Sequence, residues 1–171
     1  MKNKHMDKGN MLSIGQLSET DATEIETLLK EVWPKAVEYP ESWRKMRTIS
    51  QEQIAKEMND GFVYFGIKAD ERIVGFYKVF ITEDVCIGEH QSVHPAYRSH
   101  GLGKAMYKHF SEFAEKAGLK RIYVNILPAH VASVKLVEAF GFKRIGEFDQ
   151  ISGMRVHLYE KEIGKLDDTK K

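Results

Sequence analysis

Two glycines separated by one residue, Gly101 and Gly103, stand inside the run Val-His-Pro-Ala-Tyr-Arg-Ser-His-Gly-Leu-Gly-Lys at residues 93–104, the stretch that most constrains this chain. Basic side chains flank the glycines (Arg98, His100, Lys104), and an amphipathic segment begins immediately afterwards. That pattern describes a loop feeding a helix N-terminus. There the first backbone N–H groups lack carbonyl partners, and aligned peptide dipoles leave about half a positive charge. A phosphate is accepted at such a place without a cage of side chains, and glycine lets the backbone come close. Spacing excludes two phosphate loops. A P-loop ending at Gly103-Lys104 needs Gly at 98 and Ser or Thr at 105, where the chain has Arg98 and Ala105. A dinucleotide fingerprint starting at Gly101 needs Gly or Ala at 106, where Met106 sits, and no carboxylate stands at the end of a second parallel strand. Beside a plain tight turn there remains Arg-x-x-Gly-x-Gly at 98–103, five residues after Val93.

The 171 residues, 42% of them hydrophobic, suit one domain with a real core and exclude disorder and a disulfide-stapled miniprotein. A net charge of +1, with both signs interleaved, provides no footprint for nucleic acid or an anionic membrane and points to a small-molecule partner. The lone Cys86, the absence of a secretory apolar run, and the lack of any apolar stretch near the ~20 residues of a membrane span make the reducing cytoplasm the expected location. None of the seven histidines forms His-x-x-x-His with a supporting carboxylate, so no metal is expected.

Polar, aperiodic ends (residues 1–10 and 164–171) read as tails around a single domain at 11–163. Residues 11–17 read as a strand. Asp21-x-x-Glu24 then caps a helix carrying Ile25, Leu28, Leu29 and Val32, which Trp33-Pro34 ends. Residues 34–49 lose periodicity; their aromatic and basic side chains (Tyr39, Trp43, Arg44, Lys45, Arg47) read equally as satellites of the core or as a lid over an acceptor. Ser50-x-x-Gln53 opens a helix ending at Asn59-Asp60-Gly61. Three extended segments follow at 62–68, 72–82 and 85–93, the first two joined by a hairpin-sized turn. Behind the glycines, Leu102, Ala105, Met106, Phe110, Phe113 and Ala117 form one helical stripe closed by Gly118. A strand (122–127), a helix (131–140) and two strands (143–149 and 154–162) complete the chain.

The Arg98–Gly103 motif resembles the acyl-CoA-binding motif of the GNAT superfamily of N-acetyltransferases. The element order is similar to that fold over about residues 11–162. A second block at 127–142 matches the family at Ser133, Leu136, Glu138, Gly141 and Phe142. It departs at His130, where the family usually has Asn, and at Val137, where many members have the Tyr that reprotonates the CoA thiolate. The resemblance implies an α/β (α+β) fold: a mixed, mostly antiparallel sheet of about seven strands, flanked by four helices, with strands 4 and 5 splayed.

It further implies acetyl-CoA as co-substrate and an amine as acceptor, attacked directly in a ternary complex. The pyrophosphate would lie on the backbone around Ser99, His100, Gly101, Leu102, Gly103 and Lys104, with Arg98 and Lys104 adding charge. The N–H of Gln91 or Val93 would polarise the acyl carbonyl. Glu89 stands where some members keep a general base; elsewhere a strand Glu is an ion-paired or solvated residue. Strict alternation puts Glu89 on one face with Gln91 and Val93, and His90 and His94 on the other. His130 and Ser133 would meet the pantetheine, although His130 reads equally as an ordinary first-turn residue. With Val137 unable to donate a proton, Tyr159, Tyr123 or water is left for the thiolate. A homodimer through the C-terminal strands is an assembly the resemblance allows. A sensor that binds acyl-CoA without turnover is the alternative from another class, and the acceptor's identity stays open.

Overall fold

The computed structural model describes residues 12–151 and 153–164. Strands β1 (Ile14–Gln16), β2 (Val63–Ala69), β3 (Arg72–Thr82), β4 (Val85–Val93), β5 (Arg121–Ile126), β6 (Lys143–Ile151) and β7 (Met154–Glu162) form one sheet in the order β1-β2-β3-β4-β5-β7-β6. Every neighbouring pair is antiparallel except β4 with β5. The helices are α1 (Ala22–Val32), α2 (Glu41–Arg47), α3 (Gln51–Asn59), α4 (Leu102–Lys116) and α5 (Val131–Ala139). The sheet is covered on both faces, which is why β2 and β3 are nearly continuous in buried residues. On one face Phe65, Tyr77 and Ile122 pack with Met106, Phe110 and Val137 of α4 and α5. On the other, Tyr64, Phe76 and Val156 pack with Ile25, Leu29 and Ile54 of α1 and α3.

The expected sheet is present, but among the described residues five α-helices flank it rather than four. The additional one is α2, inside the segment expected to be irregular. It has seven residues, and its only buried side chains are Trp43 and Arg47, one turn apart. A stripe of two whose second member is an arginine carries no hydrophobic period. The aromatic residues here are both core and cleft: Trp33 and Trp43 belong to the α1–α3 cluster and also line the cleft described below. The first helical turn is also displaced. The Asp21 carboxylate accepts the Ser18 N–H at 2.8 Å in a 3-10 turn before α1, while Glu24 accepts the Ile73 N–H at 2.8 Å and ties α1 to β3. Expectations for residues 1–11 and 165–171 fall outside the described residues.

Candidate active site

Strands β4 and β5 pair only from Val85 with Arg121 to Gly88 with Val124. Beyond that point they part, and Glu89, His90 and Gln91 on one side, with Asn125, Ile126 and Leu127 on the other, line a cleft enclosing about 660 Å³ of empty space, part of it open to solvent. A β-bulge accompanies the separation. Phe76 of β3 pairs with Ser92 and Lys78 with Glu89, so His90 and Gln91 together oppose Tyr77, and His90 has a φ of 62°.

The bulge reverses the side-chain alternation. Before it, Gly88 faces α4, where a Cβ would lie 2.6 Å from the Phe110 ring. After it, His90 and Ser92, of the same parity, face α1: His90 lies against Trp33 and Phe76, and the Trp33 Nε1–H donates to Ser92 Oγ at 3.0 Å. Glu89, partnered across the strands with Lys78, therefore shares the α1–α3 face with His90. Gln91 lies on the α4 face, its Nε2 donating to the Gly103 carbonyl at 3.5 Å. The expectation that Glu89, Gln91 and Val93 share a face, opposite His90, is thus corrected; alternation fails because β4 holds one residue more than β3 across the bulge.

The glycine loop is built as a helix cap. Ser99 (φ 63°) and Gly101 (φ 78°) turn the chain through the left-handed region into α4, which starts at Leu102. The N–H groups of Leu102, Gly103 and Lys104 then form the first turn, without carbonyl partners inside the helix. Arg98, Ser99, His100 and Lys104 are exposed around it, while the Leu102 side chain is buried in the core and offers only its backbone. The His100 Nδ1–H donates to the Arg98 carbonyl at 2.8 Å, bracing the loop. A groove lined by Gln91, Val93, Arg98, His130 and Ser133 leads inward, sharing Gln91, His130 and Ser133 with the cleft. His130 Nδ1 is hydrogen-bonded to Ser133 Oγ, its ring stands 5.1 Å from that of Tyr39, and burial lowers its pKa. Of the residues expected at the site, Glu89, Gln91, His130 and Ser133 meet in the cleft, Val93 and Arg98 border the groove, and residues 99–104 form the helix cap and the first residues of α4 outside it.

Electrostatics differ between the two faces. On the α1–α3 face, Glu57 is neutralised by Lys78 at 2.7 Å and bonded by the Tyr64 hydroxyl. Glu89 has no hydrogen bond or ion pair among the described residues; it feels the Arg47 guanidinium without pairing to it. Burial lowers the Arg47 pKa to about 10, which still leaves the side chain charged at neutral pH. His90 is held well below its ordinary 6.5, first by burial and then by the Arg47 and Lys78 charges. His90 is therefore neutral and a poor base, although its Nε2–H donates to the Arg47 carbonyl at 2.7 Å, a bond that by itself favours the protonated ring.

That neutral histidine has a stability consequence. Below pH 6.5 the unfolded chain takes up a proton that folded His90 refuses. Its contribution is therefore complete above 6.5 and lost as pH falls, by at most about 1.4 kcal/mol per pH unit. Denaturant melts at pH 7.5 and 5.5 should show a smaller acid loss in His90→Asn, which tolerates the positive φ, than in the wild type.

Trp43 and Arg47 of α2, named in the sequence as core satellites or parts of a lid, line the cleft, while Tyr107 from α4 and Asn125 from β5 line it without having been expected there. Tyr107 stands beside the α4 stripe read from the sequence without being part of it, and Asn125 is one polar residue in a short strand. Two side-chain atoms here are buried without any hydrogen-bond partner, Asn125 Oδ1 and Trp43 Nε1. Tyr159 and Tyr123 do not line the cleft. Tyr39 and Tyr107 do, and burial raises both hydroxyls, Tyr39 to about 12. Tyr77 lines it too, but its hydroxyl is bonded to His109 Nδ1 at 2.5 Å. Cys86 is buried outside the cleft, its thiol pushed up to about 12. Among the described residues no group of three or more His, Cys, Asp or Glu could hold a metal, and no helix is long and apolar enough to cross a membrane.

Residues 22–142 match the model of the Acetyltransferase (GNAT) family. Over 93 residues the chain is 23% identical to the ribosomal protein bS18-alanine N-acetyltransferase of Escherichia coli K12; the match spans 54% of this chain and 63% of that protein, less than two thirds of its length. The crystal structure of the ribosomal-protein-S18-alanine N-acetyltransferase from Escherichia coli superposes with a TM-score of 0.74 at 18% identity, covering 93% of this chain and 98% of the other. A probable acetyltransferase from Staphylococcus epidermidis reaches 0.75 at 14% identity, covering 90% and 100%. The PaiA N-acetyltransferase of Thermoplasma acidophilum, solved in complex with coenzyme A, reaches 0.72 at 20% identity, covering 90% and 99%. These structural likenesses establish the fold.

Proposed function

Because the chain belongs to the GNAT family of acetyltransferases, we propose that it is an acyl-CoA-dependent N-acyltransferase, moving acetyl from acetyl-CoA to a primary amine by direct attack in a ternary complex. One observation carries this reading. The cleft crosses the sheet where β4 and β5 part, with the α4 N-terminus and Gln91 on one face and an unpaired carboxylate, Glu89, on the other. A donor held by α4 and an acceptor entering beside Glu89 would meet at the gap.

The residues present suit that donor. The first-turn N–H groups of α4 accept its pyrophosphate, with Arg98 and Lys104 screening the charge. Asn125 Oδ1, a buried acceptor lacking a donor, suits a pantetheine amide N–H, and His130 and Ser133 border the same arm. The backbone N–H of Gln91 or Val93 polarises the acyl carbonyl. Glu89 takes the amine's proton as its nitrogen bonds to the acyl carbon and the carbon–sulfur bond breaks. Val137 is fully buried and has no proton to give; Tyr39 and Tyr107, both protonated at neutral pH, are the cleft hydroxyls able to supply the departing thiolate.

Release of free CoA thiol from acetyl-CoA in the presence of a panel of primary amines tests the reading, and amine-dependent release is the expected result. Binding of CoA without turnover on any amine would favour the sensor. Thermal stabilisation by ATP equal to that by CoA would favour a nucleotide-binding regulator instead.

A further inference from the structure

Arg47 is a buried cation whose guanidinium makes no ion pair among the described residues, Glu89 being near enough only to act on it at a distance. Its residue exposure is 8%, and it sits 4.4 Å from the centre of the Trp43 ring and 5.7 Å from that of Trp33. Among the described residues it forms no ion pair, and its side chain makes no hydrogen bond. Stacking on indole rings offsets part of the cost of burying this charge but satisfies none of its five N–H donors. The Trp43 Nε1–H next to it is likewise buried with no acceptor. Both side chains line the cleft, on the α1–α3 face that also carries Glu89. Deeper in this face Lys78 and Glu57 pair with each other and His90 is neutral, while Glu38 and Arg98 stand farther out in the groove. The wall thus presents two unsatisfied donors, one of them charged, close to one unsatisfied carboxylate.

We infer that the acceptor is an amine bearing a carboxylate close to its nitrogen, an amino acid or similar amino-carboxylate, whose carboxylate is held by Arg47 and the Trp43 Nε1–H while its amine faces Glu89. The inference rests on the acyltransferase reading and narrows its acceptor class. An arginine fork matches a carboxylate with two parallel N–H bonds, and the indole N–H adds a third donor. Such a ligand fills both halves of the charge pattern at once. A polyamine would place a second cation against Arg47, and a peptide N-terminus would offer an uncharged amide in place of the carboxylate.

The test compares L-methionine, L-leucine and L-phenylalanine, each with its own primary amide and with spermidine as a further amine. Thiol release is measured together with equilibrium binding in the presence of CoA. The free acids should exceed their amides by roughly 10²- to 10³-fold in kcat/KM and should bind more tightly by a comparable factor. The amide's amine is less basic and more often deprotonated, so preference for the acid cannot come from the amine itself. In Arg47→Gln the acid-to-amide ratio should fall to about 1, and Arg47→Lys should keep a fraction of it. The wild-type comparison holds even where a variant does not fold, and the binding comparison holds even where no amine is turned over. Turnover of amides or spermidine as efficient as that of the acids would overturn the inference and leave the acyltransferase reading standing. Absence of turnover on every amine would remove that reading, and equal binding of acid and amide would remove this one.

Discussion

Replacing Glu89 with glutamine is expected to lower turnover with acetyl-CoA and an amine acceptor by about 10²- to 10⁴-fold while leaving CoA affinity nearly unchanged. Glutamine keeps the size and the hydrogen-bonding reach of the side chain but cannot accept a proton. CoA affinity is spared because Glu89 lies on the α1–α3 face of the sheet, whereas the first turn of α4, proposed to hold the phosphates, lies beyond the other face. The loss should shrink as pH rises toward the amine's own pKa, since the acceptor then arrives deprotonated and a base has less to contribute. Rate profiles of wild type and variant against pH, with free thiol as the readout, check this. A loss independent of pH would mean that Glu89 holds the acceptor ammonium in place. Full activity in the variant would pass the proton to water or to His130, because His90 is neutral with Nε2 engaged and His94 is turned to Glu31 at 2.9 Å.

What the sequence discloses and what it hides follow from the range of the interactions involved. Val85–Val93 and Met154–Glu162 are readable because alternation and turn residues mark strands locally, and the glycine loop is readable because a left-handed cap followed by an amphipathic stripe is a local event. The bulge is different. Its positive φ falls on His90, with no glycine or asparagine to announce it, and it exists only because β3 pairs on either side of it. One inserted residue moves Glu89 and Gln91 to opposite faces, so the pattern that located both residues misplaced them relative to each other. Arg47 was only half legible for a similar reason. In the segment 34–49 it reads equally as a satellite of the core or as part of a lid, and only the packing of α2 against Trp33 and the strand bearing His90 shows that it is both buried and at the cleft. The candidate site is therefore legible at the glycine loop, which local backbone shape defines. It is poorly legible in the cleft wall, whose side chains are brought together from α2, β4 and β5.

Gly101→Val is expected to abolish CoA binding, at least about 10²-fold in Kd, in a protein that still folds. A Cβ at Gly101 meets no atom within 4 Å, so the fold has room for the new side chain. The cost to stability is conformational: a φ of 78° suits glycine, and a β-branched residue there should cost about 1–2 kcal/mol. Relieving that strain means turning φ negative, which rotates the cap and redirects the first N–H groups of α4. If the left-handed cap persists, the isopropyl group occupies open space beside those same donors. Either outcome removes the backbone's close approach to a pyrophosphate, and neither reaches the cleft, where the pantetheine arm and the acceptor would be held. Affinity for pantetheine, which carries no phosphate, should therefore change little while affinity for CoA collapses. Calorimetric titration of both ligands into the variant, with a thermal melt to confirm folding, separates the cases. Near-normal CoA affinity in a folded Gly101→Val protein would mean that the loop does not hold the phosphates, and equal losses for CoA and pantetheine would mean that the substitution acts through the groove rather than through the helix cap.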